Sequence, residues 1–157
     1  LISGTAGRTG NVFPVTTWSH MAVVYNGGGA ANADRLKIYR DAVEETPLTF
    51  SGTIPATLGA GGTNVLSIGS GTSTGAFANC KIGLVKAWSV ALTAAEVAAE
   101  KDSYVPMKTA SLILYAPYDD GTSAIDYSGS GNNGTVSGAV ASAGPPVTPR
   151  APMMVLG

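Results

Sequence analysis

Four glutamates form two closely spaced pairs in the sequence. Hydrolysis of a glycosidic bond requires two carboxyl groups that face each other across the bond that is cleaved. Glu44 and Glu45 are adjacent, so on a strand their side chains would point to opposite faces. Glu96 and Glu100 are separated by one helical turn, and there we expect solvated or capping roles. The sequence therefore predicts no pair of catalytic carboxylates.

The nucleophilic side chains have no base suitably placed beside them. His20 directly follows Ser19, and neighbouring strand residues face opposite sides, so the two cannot share a proton. We interpret His20 as a structural histidine. Cys80 has Lys81 beside it, yet its position in a predicted strand favours a small buried side chain over a reactive thiol. We predict that the protein is not an enzyme.

Tyrosines are the candidates for contact with a ligand. A ring that is exposed beside hydrogen-bonding groups can pack against a sugar. Five tyrosines could supply such a ring, namely Tyr39, Tyr104, Tyr115, Tyr118 and Tyr127. We select Tyr39, Tyr115, Tyr118 and Tyr127 as ligand-binding residues, and we expect Trp18 and Trp88 in the core.

Composition excludes two classes of partner. Charged residues make up 12% of the chain, against about 25% in typical domains. Nine Lys and Arg nearly balance ten Asp and Glu, and no basic cluster is present, so we expect no nucleic-acid partner. No apolar run reaches the ~18 residues of a membrane span. The 157 residues correspond to one domain that must be held by packing, because a single cysteine cannot form an internal disulfide.

Glycine and proline divide the chain into short apolar segments. The 21 glycines and 9 prolines lie between these segments, which is typical of an all-β domain with many turns. Residues 18–25 are predicted as a strand covered on both faces. In residues 35–41 the alternation predicts that Leu36 and Ile38 point inward and Tyr39 outward. Further strands are predicted at residues 65–68, 80–88, 112–115 and 135–140.

One short helix is predicted directly after the strand at residues 80–88. Thr93 and Glu96 have the spacing of a capping box, in which a hydroxyl and a carboxylate bind the first free amides of a helix. We expect this helix to end near Lys101.

Three segments, in this order, resemble the laminin G-like jelly rolls of the concanavalin A-like superfamily. Residues 18–27 are similar to the family's tryptophan-led strand and its glycine turn, and residues 36–41 to the next hairpin strand. Residues 77–97 are similar to the closing strand and the short helix after it. Ala42 stands where the family usually has a glycine. Residues 126–135 resemble a segment that often opens such domains, although here they follow the helix.

The resemblance implies an all-β protein, an antiparallel β-sandwich of the jelly-roll type with one short helix. Because the segments match the family's second half, we expect its N-terminal strands to be lacking. We predict a sandwich over residues 1–144, with 106–144 as a C-terminal extension packed on it, and an extended proline-rich tail over 145–157. Two alternative interpretations of residues 106–144 are also open: they could be the start of a second domain, or strands donated to a neighbouring subunit.

The family often binds calcium at the rim of the sandwich through oxygen ligands. The resemblance therefore suggests Asp34, Asp41 and Asn79 as metal ligands, or alternatively Asp119, Asp120 and Asp126. Asx residues in glycine-rich loops more often form turns. We predict no required cofactor, with calcium as an open alternative.

The resemblance, the low charge and the tail together imply a non-catalytic structural or adhesive module of an extracellular assembly, such as a virion decoration or fibre protein. The tail ends in the apolar residues 153–156, which we expect to dock on a partner subunit of a homo-oligomer. The expected location is extracellular or on a virion surface. The alternative is a carbohydrate-binding, lectin-like accessory domain of a secreted protein, with glycans as ligands.

Overall fold

The computed structural model describes residues 6–8, 16–58, 66–69, 78–118 and 124–145. Within these ranges the chain forms seven short strands and two helices. In chain order they are β1 (Ala6–Arg8), β2 (Met21–Tyr25), α1 (Asn32–Arg35), β3 (Leu36–Arg40), β4 (Val43–Glu44), β5 (Thr49–Ser51), β6 (Val85–Trp88), α2 (Ala94–Lys101) and β7 (Leu112–Ala116). The one-turn helix α1 was not predicted. Neither of these two helices has the length and apolar character that a membrane crossing requires.

All strand pairs in the described ranges are antiparallel. β2, β3 and β4 form one sheet in that order, β1 pairs with β5, and β6 pairs with β7. Two predicted strands are not observed. Residues 66–68, the described part of the strand predicted at 65–68, form no strand, and residues 135–140 form none either. Residue 65 lies outside the described residues.

Helix α2 covers one face of the sheet formed by β2, β3 and β4. Val97 of α2 is fully buried against Val24 and Tyr39, and Ala22 and Leu92 pack around this centre. Opposite residues of an antiparallel pair share a face, and Ala22 lies opposite Tyr39. The apolar core on this side therefore joins the helix to both strands.

The predicted orientation of β3 is wrong. Tyr39 is 3% exposed and lies in the core, whereas Leu36 and Ile38 are half-buried on the other face of the sheet. That other face is also open on β2, where Met21 and Val23 are exposed, so β2 is not covered on both faces as expected. Alternation identified which residues share a face, but α2 determines which face is internal.

A two-residue turn connects β3 and β4. Arg40 pairs with Val43, and the two residues between them, Asp41 and Ala42, have φ of 51° and 68°. Positive φ at both central residues defines a type I′ hairpin turn. Ala42 therefore occupies a left-handed position that glycine normally fills.

Helix α2 begins and ends where the sequence predicted. The Thr93 hydroxyl accepts the Glu96 N–H at 3.2 Å, and the Thr93 N–H donates to the Glu96 carboxylate at 2.8 Å. The helix ends at Lys101. The capping box is therefore confirmed in both of its hydrogen bonds.

A buried ion pair attaches α2 to β6. Lys86 Nζ lies 2.6 Å from Glu100 Oε2 and donates to the Ser103 carbonyl at 2.6 Å. The other oxygen of Glu100 accepts the N–H groups of Met107 and Lys108, both at 2.8 Å. Burial lowers the pKa of Lys86, against the opposing effect of Glu100. Through Val97 and Glu100, α2 contacts two of the sheets.

Strand β6 is shorter than predicted. It begins at Val85, and residues 80–84 are irregular. Cys80 is exposed in this irregular segment, so its interpretation as a buried side chain is wrong.

Candidate functional site

A carboxylate organises the loop that follows β7. Asp126 Oδ1 accepts the N–H groups of Tyr115 at 3.0 Å and Ser128 at 2.8 Å. Its Oδ2 accepts the Ser128 hydroxyl and the Asn132 N–H, both at 2.9 Å. A carboxylate offers about four lone-pair positions, and four donors occupy them here. The contact between Asp126 and the N–H two residues later is an Asx turn, which explains why this sequence folds locally.

The hydrogen bonds decide the charge state of Asp126. Burial by itself would raise the pKa of this carboxyl, but the N–H groups of Tyr115 and Ser128, with the other two donors, favour the ionised form. The net result is a pKa of about 2. Asp126 is therefore ionised at neutral pH, with neutral donors as its hydrogen-bond partners.

The same loop covers one edge of β7. The Tyr127 N–H donates to the Tyr115 carbonyl at 2.8 Å, and the Asn132 side-chain amide donates to the Ile113 carbonyl at 2.7 Å. The opposite edge of β7 pairs with β6. The loop thus satisfies strand groups that would otherwise need water or another strand.

Three tyrosines meet on this surface. The Tyr115 ring centroid lies 6.5 Å from that of Tyr104, at an interplanar angle of 82°, and 6.2 Å from that of Tyr127, at 60°. These are edge-to-face arrangements, which stabilise aromatic pairs. Tyr127 is 58% exposed, whereas Tyr104 and Tyr115 are half-buried. We call Tyr104, Tyr115 and Tyr127 the tyrosine cluster.

The structure brings together two of the four tyrosines selected from the sequence, Tyr115 and Tyr127. Tyr104 joins them, although it was only among the wider candidates. Tyr118 is half-buried, burial raises its pKa, and no ring contact joins it to the cluster in the described part of the chain. Tyr39 is buried, so the expectation that its ring is exposed is wrong. Pairing of β6 with β7 places Tyr115 beside Tyr104, just after the end of α2. No local sequence motif predicts this contact.

Each carboxylate in the described ranges has a partner. Besides Glu100 and Asp126, the ion pairs join Glu44 to Lys37 at 3.0 Å, Glu45 to Arg40 at 2.9 Å, Asp102 to Lys101 at 2.6 Å, and Glu96 to Lys108. Asp34 accepts the Ala31 N–H, and Asp41 the His20 N–H. The Lys108 hydrogen bond, with those from Thr93, lowers the pKa of Glu96 to about 2. Apart from Asp102, whose pair with the neighbouring Lys101 lies at the surface, these carboxylates bind groups that hold the fold together.

The family model of the Concanavalin A-like lectin/glucanases superfamily, in its laminin G form, matches residues 2–98. The chain belongs to this family. Its membership confirms the predicted laminin G-like resemblance and the antiparallel β-sandwich fold class. The match ends within α2, so the tyrosine cluster lies beyond the matched residues. No curated protein and no solved structure matches the chain.

Membership of the laminin G-like family is compatible with adhesive and lectin-like modules, and such domains are generally non-catalytic. The superfamily description names both lectins and glucanases. The individual role of this domain must therefore be argued from its own surface.

The calcium ligands suggested by the laminin G-like resemblance do not come together. Asp34 precedes β3 and Asp41 follows it, so an extended strand of roughly 17 Å lies between the two residues. Asn79 is exposed in the irregular segment before β6. In the second set, Asp119 and Asp120 lie outside the described residues. No group of three or more His, Cys, Asp or Glu that could hold a metal occurs in the described ranges.

His20 lies just before β2. Burial, and then the positive charge of Lys86, lower the pKa of its imidazole. Its Nδ1 is buried and makes no hydrogen bond within the described residues. His20 is therefore neutral at physiological pH.

Proposed function

We propose that this laminin G-like domain is a non-catalytic structural or adhesive module of an extracellular assembly, such as a virion decoration or fibre protein. The observation that carries this proposal is that every described carboxylate is engaged in an ion pair or hydrogen bond within the protein. General acid–base catalysis by a carboxyl group requires that the group can reach a substrate, and these carboxylates are bound to protein partners instead. The family's adhesive and lectin-like members are consistent with such a role.

An exposed apolar surface supports contact with other subunits. Met21 and Val23 of β2 and Val43 of β4 are 58%, 60% and 70% exposed. Met21 and Val43 each lie opposite Arg40, so they share the sheet face that α2 does not cover. Covering a large apolar side chain contributes about 1.5–3 kcal/mol. We call Met21, Val23 and Val43 the open face, and propose that a second copy of the chain covers it.

The tail is the second element of this proposal. Residues 146–157 lie outside the described residues, so their role is argued from the sequence. Prolines disfavour helix and central strand, and the apolar residues 153–156 favour docking on a partner. The tail would add its contacts to those of the open face.

The oligomeric state tests this function. Light scattering should show an oligomer for the intact chain and a smaller species after deletion of residues 145–157. It should also show a smaller species for the triple variant Met21→Ser, Val23→Thr, Val43→Thr. The control is Val140→Thr, because Val140 is 86% exposed outside the open face. A monomeric intact chain, or an oligomer that none of these changes affects, would refute the assembly role.

Carbohydrate binding is a second candidate, and the tyrosine cluster is the observation that favours it. Exposed rings beside hydroxyl and amide groups are suited to sugars. A glycan array run with and without a chelator separates the candidates. Selective glycan binding supports the lectin-like role, and a defined oligomer that binds no glycan supports assembly alone.

A further inference from the structure

We propose that the tyrosine cluster is a binding platform for uncharged saccharides and that it works without a metal ion. This inference deepens the carbohydrate-binding candidate and rests on it. It assigns the contact with the sugar to Tyr127. Tyr115 packs against the Tyr127 ring, and Tyr104 packs against Tyr115.

The first support is the fixed position of an exposed ring. Tyr127 is 58% exposed, its ring packs edge-on against Tyr115, and its N–H donates to the Tyr115 carbonyl. The neighbouring Asp126 is held by four donors. A ring that is already ordered loses little conformational freedom when a ligand binds. Tyrosine suits such a surface because it offers apolar area and a hydrogen-bonding group together.

The second support is the chemistry of the surrounding chain. Hydroxyl and amide side chains follow Tyr127 closely. Those of Ser128, Ser130, Asn132 and Asn133 each make a hydrogen bond to the loop or to β7. Ser130, Asn132, Asn133 and Thr135 are also exposed to solvent. Asp126 is the only charged residue in residues 109–118 and 124–145. Anionic ligands need cations. Asp126 is buried, and Lys86, which lies opposite Tyr115, is buried and paired with Glu100. Neutral saccharides, with their hydroxyl groups and apolar C–H faces, match this surface better than sulfated or sialylated ones.

The third support concerns metal ions. Calcium binds carboxylate oxygens, but the four lone-pair positions of Asp126 already accept hydrogen bonds. A cation could reach Asp126 only if the loop lost some of these bonds. Saccharide binding at the cluster should therefore not depend on calcium.

The test measures binding of the intact chain to neutral oligosaccharides of glucose, galactose, mannose and xylose, and to sulfated and sialylated counterparts. Calorimetry on each neutral ligand that binds should show an affinity about tenfold or more weaker for Tyr127→Ala. Tyr127→Phe keeps the ring and should stay within about threefold of the intact chain. Val140→Ala is the matched control at another exposed apolar position, and EDTA should leave the affinity unchanged. Near-ultraviolet circular dichroism checks that each variant is folded.

Each outcome decides a separate point. Neutral-glycan binding that survives Tyr127→Ala would keep the lectin-like function but refute the cluster as its site. Loss of binding in EDTA would refute metal independence, and binding confined to sulfated or sialylated glycans would refute the uncharged class. Absence of all glycan binding would overturn this inference and the second candidate, while the light-scattering test of assembly would stand. If Tyr127→Ala reduces the oligomer instead, the cluster is a protein interface and the inference is wrong.

Discussion

Two buried carboxylates in this laminin G-like domain are compensated in different ways. Glu100 is 4% exposed and faces the ammonium group of Lys86, with two backbone N–H groups on its other oxygen. Asp126 is 9% exposed, and its partners are three backbone N–H groups and one hydroxyl. The charge of Glu100 is therefore balanced by a cation from another element, and that of Asp126 is stabilised mostly by donors from its own loop.

This difference shows what each carboxylate can organise. A buried charge is costly unless its partners replace the lost water. The Lys86–Glu100 pair replaces water with a long-range contact, so it fastens a strand to a helix. Asp126 replaces it with neutral donors, so it shapes a loop and holds that loop on β7. Four predictions test this contrast.

Glu100→Ala should lower the free energy of unfolding by about 3–5 kcal/mol, because it leaves Lys86 buried without a counter-charge. Urea denaturation measures the change. The double variant Lys86→Met, Glu100→Leu should recover most of the loss, because apolar groups of similar volume often replace a buried ion pair without penalty. A loss below about 1 kcal/mol for Glu100→Ala would mean that water reaches Lys86.

Asp126→Asn should cost about 1–3 kcal/mol, because the amide group turns two acceptor positions into donors that face other donors. Hydrogen exchange should become faster at the N–H groups that Asp126 binds, those of Tyr115, Ser128 and Asn132. The matched control is Asp102→Asn, an exposed carboxylate whose replacement should change stability by less than about 0.5 kcal/mol. If both substitutions changed the free energy of unfolding by the same amount, the proposed role of Asp126 in organising the loop would be wrong.

The contribution of Asp126 should also depend on pH. Its folded-state pKa of about 2 is below the ordinary value of about 3.9. Its stabilising effect is therefore fully present above about pH 4 and is lost as the pH falls towards 2. The stability difference between the intact chain and Asp126→Asn should shrink over this interval in acid titrations of denaturation. A difference that stays constant from pH 4 to 2 would contradict the assignment.

Thr93→Ala should have the smallest effect, about 1 kcal/mol, because it removes the hydroxyl of the capping box. Exchange should become faster at the first N–H groups of α2, whereas those bound by Asp126 should keep their rates. Thr135→Ala, at an exposed threonine outside the helix, is the control. Faster exchange in the Asp126 loop after Thr93→Ala would show that the two carboxylate regions are not independent.

The elements that depend on local chemistry could be predicted from the sequence. The bonds of the capping box join residues three apart, so Thr93 and Glu96 were sufficient to locate α2. The Asx residues of the glycine-rich loop around Asp126 likewise indicated a turn. The family resemblance supplied the sandwich architecture, which no single segment contains.

The elements that depend on distant contacts could not be predicted in this way. Alternation in β3 could not show that Val97 would bury Tyr39 instead of Leu36 and Ile38. The tyrosine cluster needs the pairing of β6 with β7, which brings Tyr115 to Tyr104. The separation of the suggested calcium ligands Asp34 and Asp41, by contrast, follows from the strand that the sequence predicts between them.

The type I′ turn between β3 and β4 is a site where a single substitution could raise the free energy of unfolding. A side chain at a left-handed φ costs about 1–2 kcal/mol, while glycine loses about 0.5–1 kcal/mol of that advantage to the entropy of the unfolded chain. Replacing Ala42 by glycine should therefore make the domain slightly more robust. Such a background would allow weakened variants of the loop and the cluster to be purified and assayed while still folded.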